Sequence, residues 1–225
     1  IDNYKDKFES VAIAEPMLGE VGDDATVIND DKKAVAQAIT DEACKVAGYD
    51  SMEAAAEDGT AFVFMGHGTS HTANVTYDQM QTQMEDLGFT NAFIGTVEGE
   101  PEDTACEEVI AKVKDAGFKK VVLRPLMVVA GDHANNDMAG DDEDSWKSQF
   151  EASGAFDSVD CQIEGLGRIA AVEDLYVAHT KDAIDSLGTA DDAAEVTDDT
   201  EEASDDAAAE ETTDDAADTT EEAAE

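Results

Sequence analysis

Short apolar runs alternate with longer amphipathic stretches along the first 188 residues, and this alternation constrains the fold more than any other feature of the chain. Residues 60–65 form a continuous apolar run, which is typical of a strand buried on both faces. Residues 31–47 instead repeat apolar side chains at helical spacing. A regular strand–helix alternation predicts an α/β fold with a largely parallel sheet and helices on both faces.

The pattern predicts five strands and five helices in strict alternation. The strands are expected over residues 11–14, 60–65, 92–97, 120–129 (interrupted by Pro125) and 159–163. The helices are expected over residues 31–47, 77–87, 102–116, 144–153 and 170–187. Pro101 stands at the start of the third helix and Gly117 just after its end, which are the positions that these residues favour at helix termini.

The acidic residues are unevenly distributed. The chain has 225 residues, with 56 Asp and Glu against 13 Lys and Arg, for a net charge of −43. Residues 189–225 hold 17 of the acids, no basic residue, and no apolar side chain except Ala and Val196. Such a segment buries too little apolar surface to offset the entropy cost of ordering. We therefore expect one α/β domain over residues 1–188 and a disordered acidic tail over residues 189–225.

Charge and composition exclude several classes of protein. A strongly acidic chain lacks the basic stripe that nucleic-acid binding requires, and it is repelled by an anionic membrane surface. No apolar run approaches the ~20 residues of a membrane-spanning helix. Three separated cysteines, Cys44, Cys106 and Cys161, form no disulfide framework or zinc ribbon, so we interpret them as small hydrophobic residues. The absence of a disulfide pattern favours the cytoplasm and leaves an exported form open.

Candidate metal ligands follow three consecutive predicted strands. His67 lies in the segment GHGTSH, Glu98 in GTVEGE and His133 in GDHA. The carboxyl ends of parallel strands meet at one edge, with neighbouring strands ~4.8 Å apart, so these side chains could converge on one ion. Two imidazoles and a carboxylate suit Co²⁺, Fe²⁺, Ni²⁺ or Zn²⁺ better than Mg²⁺ or Ca²⁺. Three protein ligands also leave coordination positions open, as transfer or catalysis requires.

Other polar residues each have two readings. His71 either lines the cleft or caps the following helix, and His179 lies in the middle of a helix, where it is packed or exposed. Residues 135–146 carry five acids, which either cap the next helix or attract cations towards the cleft.

Three motifs give the sequence a family resemblance: MGHGTSH (65–71), GTVEGEP (95–101) and PLMVVAGDHANNDMAGDDEDSWK (125–147). Over about residues 8–187, the chain resembles the anaerobic sirohydrochlorin cobaltochelatases. The resemblance implies a class II chelatase fold, in which a cleft separates two similar α/β halves. It implies insertion of Co²⁺ into sirohydrochlorin on the oxygen-independent route to cobalamin. It also places the metal ligands at His67, Glu98 and His133.

The sequence departs from this family in one respect. Family members carry a further α/β half before the segment that Phe8 begins to match, so the chain resembles the C-terminal half followed by an acidic tail. We expect either a truncated product or a chain that pairs with a second copy or with a partner supplying the other half.

Metal insertion requires groups that accept pyrrole protons and groups that hold the carboxylates of the macrocycle. We expect His67 and Glu98 to be the catalytic residues and the segment Gly68, Thr69, Ser70 and His71 to bind substrate, with helix-start amides as donors. Arg124, Lys147 and Arg168 are basic candidates. GHGTSH is neither a dinucleotide nor a phosphate-loop motif, so we expect Co²⁺ as substrate metal and no organic cofactor.

Three alternatives remain at this stage. The chain could be a non-catalytic half-chelatase that carries metal or tetrapyrrole, a chelatase that prefers iron or nickel, or a metal-dependent hydrolase on a similar sheet. Ligand type alone does not choose among neighbouring divalent metals.

Overall fold

A four-stranded parallel sheet forms the centre of the fold. The computed structural model describes residues 2–5 and 7–187. The strands run in the order β2-β1-β3-β4, and every neighbouring pair is parallel. Their bounds are β1 Thr60–Gly66, β2 Ala92–Thr96, β3 Lys120–Pro125 and β4 Ser158–Cys161. The predicted α/β class with a largely parallel sheet is confirmed.

Helices precede the first strand, connect the strands and follow the last one. They are α1 Asp2–Lys5, α2 Asp30–Ala47, α3 Met52–Glu57, α4 Val75–Asp86, α5 Cys106–Asp115, α6 Trp146–Ala152 and α7 Ala170–Leu187. Short 3₁₀ turns cover Thr72–Asn74, Glu102–Thr104 and Leu166–Arg168, and a π-helical turn covers Ala134–Met138. All five predicted helices are present with ends shifted by a few residues, whereas α1 and α3 were not predicted.

Two apolar cores lie on opposite faces of the sheet because successive strand side chains point to opposite sides. Phe62 and Phe64 of β1 pack on one face with buried residues of α2, α3 and α4 and with Val172 of α7. Val63 and Met65 pack on the other face with buried residues of α5 and α6. The expected placement of helices on both faces is therefore confirmed.

The strand predicted over residues 11–14 is wrong. This segment forms no strand, and the described part of the sheet ends at β2 on one side and β4 on the other. Ile13 is 71 % exposed and Val11 is 36 % exposed. A short apolar run satisfies the local requirement for a strand, but without a neighbouring strand its backbone groups have no ladder to join.

The three cysteines are free thiols in sites that keep them protonated. Burial raises the pKa of Cys44 to about 11, of Cys106 to about 12 and of Cys161 to about 11. Cys44 and Cys106 each lie in or beside one of the two apolar cores. These thiols are poor nucleophiles at neutral pH, in agreement with their interpretation as small hydrophobic residues.

Two further predictions concern the acidic tail and membrane-spanning helices. The predicted acidic tail, residues 189–225, lies outside the described residues, so the domain boundary at residue 188 stays a prediction. Within residues 2–5 and 7–187, no helix has the length and apolar character needed to cross a bilayer.

Gly95 gives the packing a direct test. Its position in β2 lies against the indole of Trp146, so that a Cβ atom there would overlap the ring. Trp146 is only 3 % exposed and stacks on Phe150, so it has little room to move. Gly95→Ala should lower the free energy of unfolding by about 1–3 kcal/mol, measured by urea denaturation. Gly131→Ala is the control, because nothing lies within 4 Å of its added methyl group. Equal stability of the two variants would contradict this packing.

Candidate metal-binding site at the carboxyl edge of the sheet

The three predicted ligands follow β1, β2 and β3 at one edge of the sheet. Gly66 of β1 pairs with Thr96 of β2, and Met65 pairs with Pro125 of β3. His67 follows β1 directly, Glu98 comes two residues after β2, and His133 ends a longer loop after β3. The topology predicted from strand alternation therefore brings these three segments to one place.

The loop that carries His67 is fixed by close packing on α4. The ring of Tyr77 occupies the space where a Cβ atom of residue 66 would stand, so only glycine fits there. The Tyr77 hydroxyl accepts a hydrogen bond from the Gly68 N–H at 2.9 Å. Gly68 has φ of +91°, and a Cβ atom there would lie 2.9 Å from the Cβ of Glu98. Glycine at both positions lets the first loop lie directly against the second.

Backbone hydrogen bonds hold Glu98 beside His67. The N–H of Val97 donates to the carbonyl of Gly66, and the N–H of Glu98 donates to the carbonyl of His67, each at 3.0 Å. The pairing of β1 and β2 thus continues past the end of β2. The hydroxyl of Thr96 accepts the N–H of Glu100 at 3.1 Å and closes the following turn.

Two imidazoles form the centre of the site. The rings of His67 and His133 lie 4.7 Å apart between centroids and meet edge to face at 82°. Nδ1 of His67 lies 3.0 Å from the carbonyl oxygen of Gly68, and Nδ1 of His133 lies 2.5 Å from a carboxylate oxygen of Asp137. An acceptor at Nδ1 favours the tautomer that carries its proton there, which leaves Nε2 as a lone-pair donor to a metal.

The carboxylate of Glu98 does not join these rings. Among the described residues, no three His, Cys, Asp or Glu side chains are grouped so as to hold a metal ion. The structure brings two of the three predicted ligands together and places the backbone of the third next to His67. The Glu98 side chain is exposed. The three-ligand set stays a prediction.

Asp137 is a site residue that the sequence reasoning missed. The sequence pattern places it among the loop acids, as a helix cap or a general attractor of cations. The π-helical turn Ala134–Met138 places it four residues after His133, where its carboxylate orients that imidazole. A His and an Asp at i and i+4 on one helical turn are the signal that could have revealed the pair. Metal-binding histidines commonly have such a partner on their second nitrogen.

The segment predicted to bind substrate is held by local hydrogen bonds. Nδ1 of His71 accepts the N–H of Ala73 at 3.0 Å, so His71 caps the 3₁₀ turn, which is one of its two predicted roles. The hydroxyl of Thr69 accepts the N–H of His71 at 3.1 Å. Ser70 is exposed, and the N–H of Gly68 is already engaged by Tyr77. Substrate binding by Gly68, Thr69, Ser70 and His71 stays a prediction.

The basic candidates and His179 differ in accessibility. The Arg124 side chain is completely buried and donates to Gln162 at 2.7 Å, so it cannot contact a ligand in the cleft directly. Lys147 lies 3.6 Å from Asp141. Arg168 has a side chain that is 77 % exposed. His179 is packed, with its ring nitrogens near the Glu15 carbonyl and the Asp31 carboxylate.

The fold and the imidazole pair together define an α/β domain with a candidate metal-binding site at one edge of its sheet. The chain belongs to the cobalt chelatase (CbiK) family, whose model matches residues 1–185. The sirohydrochlorin cobaltochelatase of Salmonella typhimurium is 43 % identical over 123 residues, which are 55 % of this chain and 44 % of that protein. The sirohydrochlorin cobaltochelatase CbiKC of Nitratidesulfovibrio vulgaris is 34 % identical over 129 residues, or 56 % of this chain and 43 % of that protein.

The family predicted from the three motifs is therefore confirmed. The matched segment spans less than half the length of these curated relatives. The cobaltochelatase activity of these relatives therefore extends to this chain only as a proposal.

Substitution of Asp137 tests the role of the orienting carboxylate. Asp137→Asn should weaken Co²⁺ binding by about 10- to 100-fold, because the His133 ring loses its charged partner. The measurement is isothermal titration with Co²⁺. Asp142→Asn is the matched control, because it removes the same charge from the exposed part of the acidic loop. Equal weakening in both variants would show that the acids act by general attraction and would contradict an orienting role.

Proposed function

We propose that this chain binds Co²⁺ through His67, Glu98 and His133 and inserts it into sirohydrochlorin. The observation that carries the proposal is the His67–His133 pair, two rings 4.7 Å apart whose Nδ1 atoms both face acceptors. Membership of the cobalt chelatase family and the names of both relatives support the same metal and macrocycle. Imidazole nitrogen with a single carboxylate is a donor set suited to Co²⁺.

The proposed reaction exchanges protein ligands for pyrrole nitrogens. The free macrocycle loses two N–H protons as one Co²⁺ enters it, so two bases are required for each ion. When Co²⁺ leaves Nε2 of His67, that nitrogen regains a lone pair and can accept the first proton. The carboxylate of Glu98, whose backbone lies against His67, accepts the second. Because both bases are also proposed ligands of the departing metal, proton removal and metal transfer are coupled in this proposal.

The proposed site is open on its solvent side. His67 and Glu98 are exposed, and the side chain of His133 is 37 % exposed. A flat macrocycle can therefore approach both imidazole edges without any movement of the sheet. The segment Gly68, Thr69, Ser70 and His71 borders this approach and is proposed to contact the substrate.

A cobalt insertion assay on this chain tests the proposal directly. The unsubstituted chain should convert sirohydrochlorin to its cobalt complex, followed by the change in tetrapyrrole absorbance. His133→Ala should reduce the insertion rate by at least about 100-fold, because one of the two converging ligands is lost. Asn136→Ala, on the same turn, is the control and should keep most of the activity, with circular dichroism reporting the fold of each variant. Full cobalt binding and activity in His133→Ala would overturn the ligand assignment.

A carrier function is the second candidate. It is favoured by the arrangement of the described side chains, in which two imidazoles converge and no third donor joins them. A carrier would bind Co²⁺ and sirohydrochlorin without turnover, and this outcome would contradict the insertion proposal. Oligomeric state is measured in the same samples, because a second copy facing the imidazoles would enclose the macrocycle from its other side.

Metal preference is measured by comparing the insertion rates of different divalent metals. Parallel assays with Co²⁺, Fe²⁺ and Ni²⁺ at equal concentration should give the highest insertion rate with Co²⁺. A higher rate with iron or nickel would keep the chelatase assignment and replace the metal.

A further inference from the structure

A pocket lies beside the loop that leads to His133. It has a volume of about 410 Å³ and lies between the loop that leads to His133 and the loop that follows β4. Val128, Val129 and Ala130 line one side, and Arg168 lines the other. Ala130 precedes His133 by three residues, so their Cα atoms are at most about 11 Å apart.

The two walls of this pocket are fixed to each other through the backbone. The N–H of Leu166 donates to Met127 at 2.9 Å, and the N–H of Gly167 donates to Val128 at 3.0 Å. A Cβ atom at residue 165 would lie 2.5 Å from the carbonyl oxygen of Val128, so glycine allows this contact. Arg168 follows directly, and it is therefore held at a defined place beside the loop to His133.

The pocket has an apolar surface that the fold leaves uncovered. Val128 is 41 % exposed, Val129 is 74 % exposed and Ile163 is 47 % exposed. Exposed apolar residues grouped at a cavity are typical of ligand-binding surfaces. A surface of this kind suits the face of a large planar ring.

The pocket also presents one exposed guanidinium, that of Arg168, beside the carboxylate of Glu164. Glu164 lies between two guanidinium groups, 3.4 Å from Nε of Arg168 and 3.8 Å from Nη2 of Arg124. Arg124 does not line the pocket, and Glu42 as well as Glu164 acts on its charge, so Arg168 is the group of the pocket that can bind an anion. Nε and Nη2 of the buried Arg124 have no hydrogen-bond partner among the described residues. Of Arg168, only the Nε edge has an ion-pair contact in the described part of the chain, which leaves its terminal amino groups able to bind a second carboxylate.

We infer that this pocket, the Arg168 pocket, binds a peripheral carboxylate of the tetrapyrrole while Val128 and Val129 contact the ring. The inference rests on the proposed function, because it assigns a subsite for the same substrate. Charge favours this occupant: the macrocycle is an anion with an apolar centre, and the pocket joins a guanidinium to apolar side chains. Arg168 is a binding residue that sets substrate affinity and takes no part in proton or metal transfer.

The test measures binding of metal-free sirohydrochlorin by fluorescence titration at low and high salt. Arg168→Gln should weaken binding by about tenfold at low salt, since it removes one charged hydrogen-bonding group, and should reduce the salt dependence. The affinity of Arg168→Lys should lie between those of the unsubstituted chain and Arg168→Gln, because lysine keeps the charge and loses the paired donors. The neutral methyl ester of the macrocycle should bind all variants equally, a result that a merely structural role would not give.

Lys45→Gln is the matched control. Lys45 is 74 % exposed and pairs with Glu42 three residues earlier, much as Arg168 pairs with Glu164. It belongs to the last turn of α2, and binding in this variant should stay within about twofold of the unsubstituted chain, as expected for loss of a remote screened charge.

The outcomes separate the subsite from the function. Unchanged affinity in Arg168→Gln, or equal losses in Arg168→Gln and Lys45→Gln, would overturn the subsite and leave cobalt insertion untouched. Binding that weakens as expected in a chain that inserts no cobalt would support the subsite and contradict the insertion proposal. A chain that binds no sirohydrochlorin at all would overturn both.

Discussion

The parallel pairing of β1 with both β2 and β3 is the constraint on which the site depends. Because β1 lies between two strands that run in its own direction, the segments that follow all three strands leave the sheet at one edge. The pairing does not stop at the last strand residue, since Val97 and Glu98 still donate to carbonyls of the first loop. The positions of His67 and Glu98 are thus set by backbone hydrogen bonds. His133 arrives differently, through a longer loop and a π-helical turn. The site therefore combines one rigid side with one side set by side-chain contacts.

Small residues at the strand ends make this edge possible. Gly66 and Gly95 come late in their strands, and each accepts an aromatic ring directly on the backbone, from Tyr77 and Trp146 respectively. The rings lie on opposite faces, one with α4 and the other with α6. Aromatic packing of this kind buries much apolar area close to the polar loops. The loops can then carry exposed imidazole and carboxylate groups without admitting water to the cores.

Hydrophobic patterns in the sequence predicted those strands and helices whose formation depends mainly on neighbouring residues. Residues 61–65 are apolar at every position, and such a run is typical of a strand buried on both faces, as β1 is. Residues 11–14 present a similar short run, but a strand also needs a partner, and partners are not encoded locally. The common edge of His67, Glu98 and His133 followed from topology. The contact of Asp137 with His133 and the burial of Arg124 depend on tertiary packing, which spacing alone does not give.

Charge poses the remaining problem for the proposed function, in which a chain with a net charge of −43 attracts a cation and also receives a polycarboxylate. Charges farther apart than the Debye length, about 8 Å at physiological salt, are largely screened, so the total matters less than the nearest groups. Around His133 the nearest charge is Asp137, which favours a metal ion. In the Arg168 pocket, the guanidinium pairs with Glu164 through Nε, and its exposed terminal amino groups can bind an anion. A carboxylate and a guanidinium thus lie on adjoining parts of one edge. An acidic protein can hold both proposed reactants if the cation lies near the carboxylate and the anionic macrocycle lies near the guanidinium.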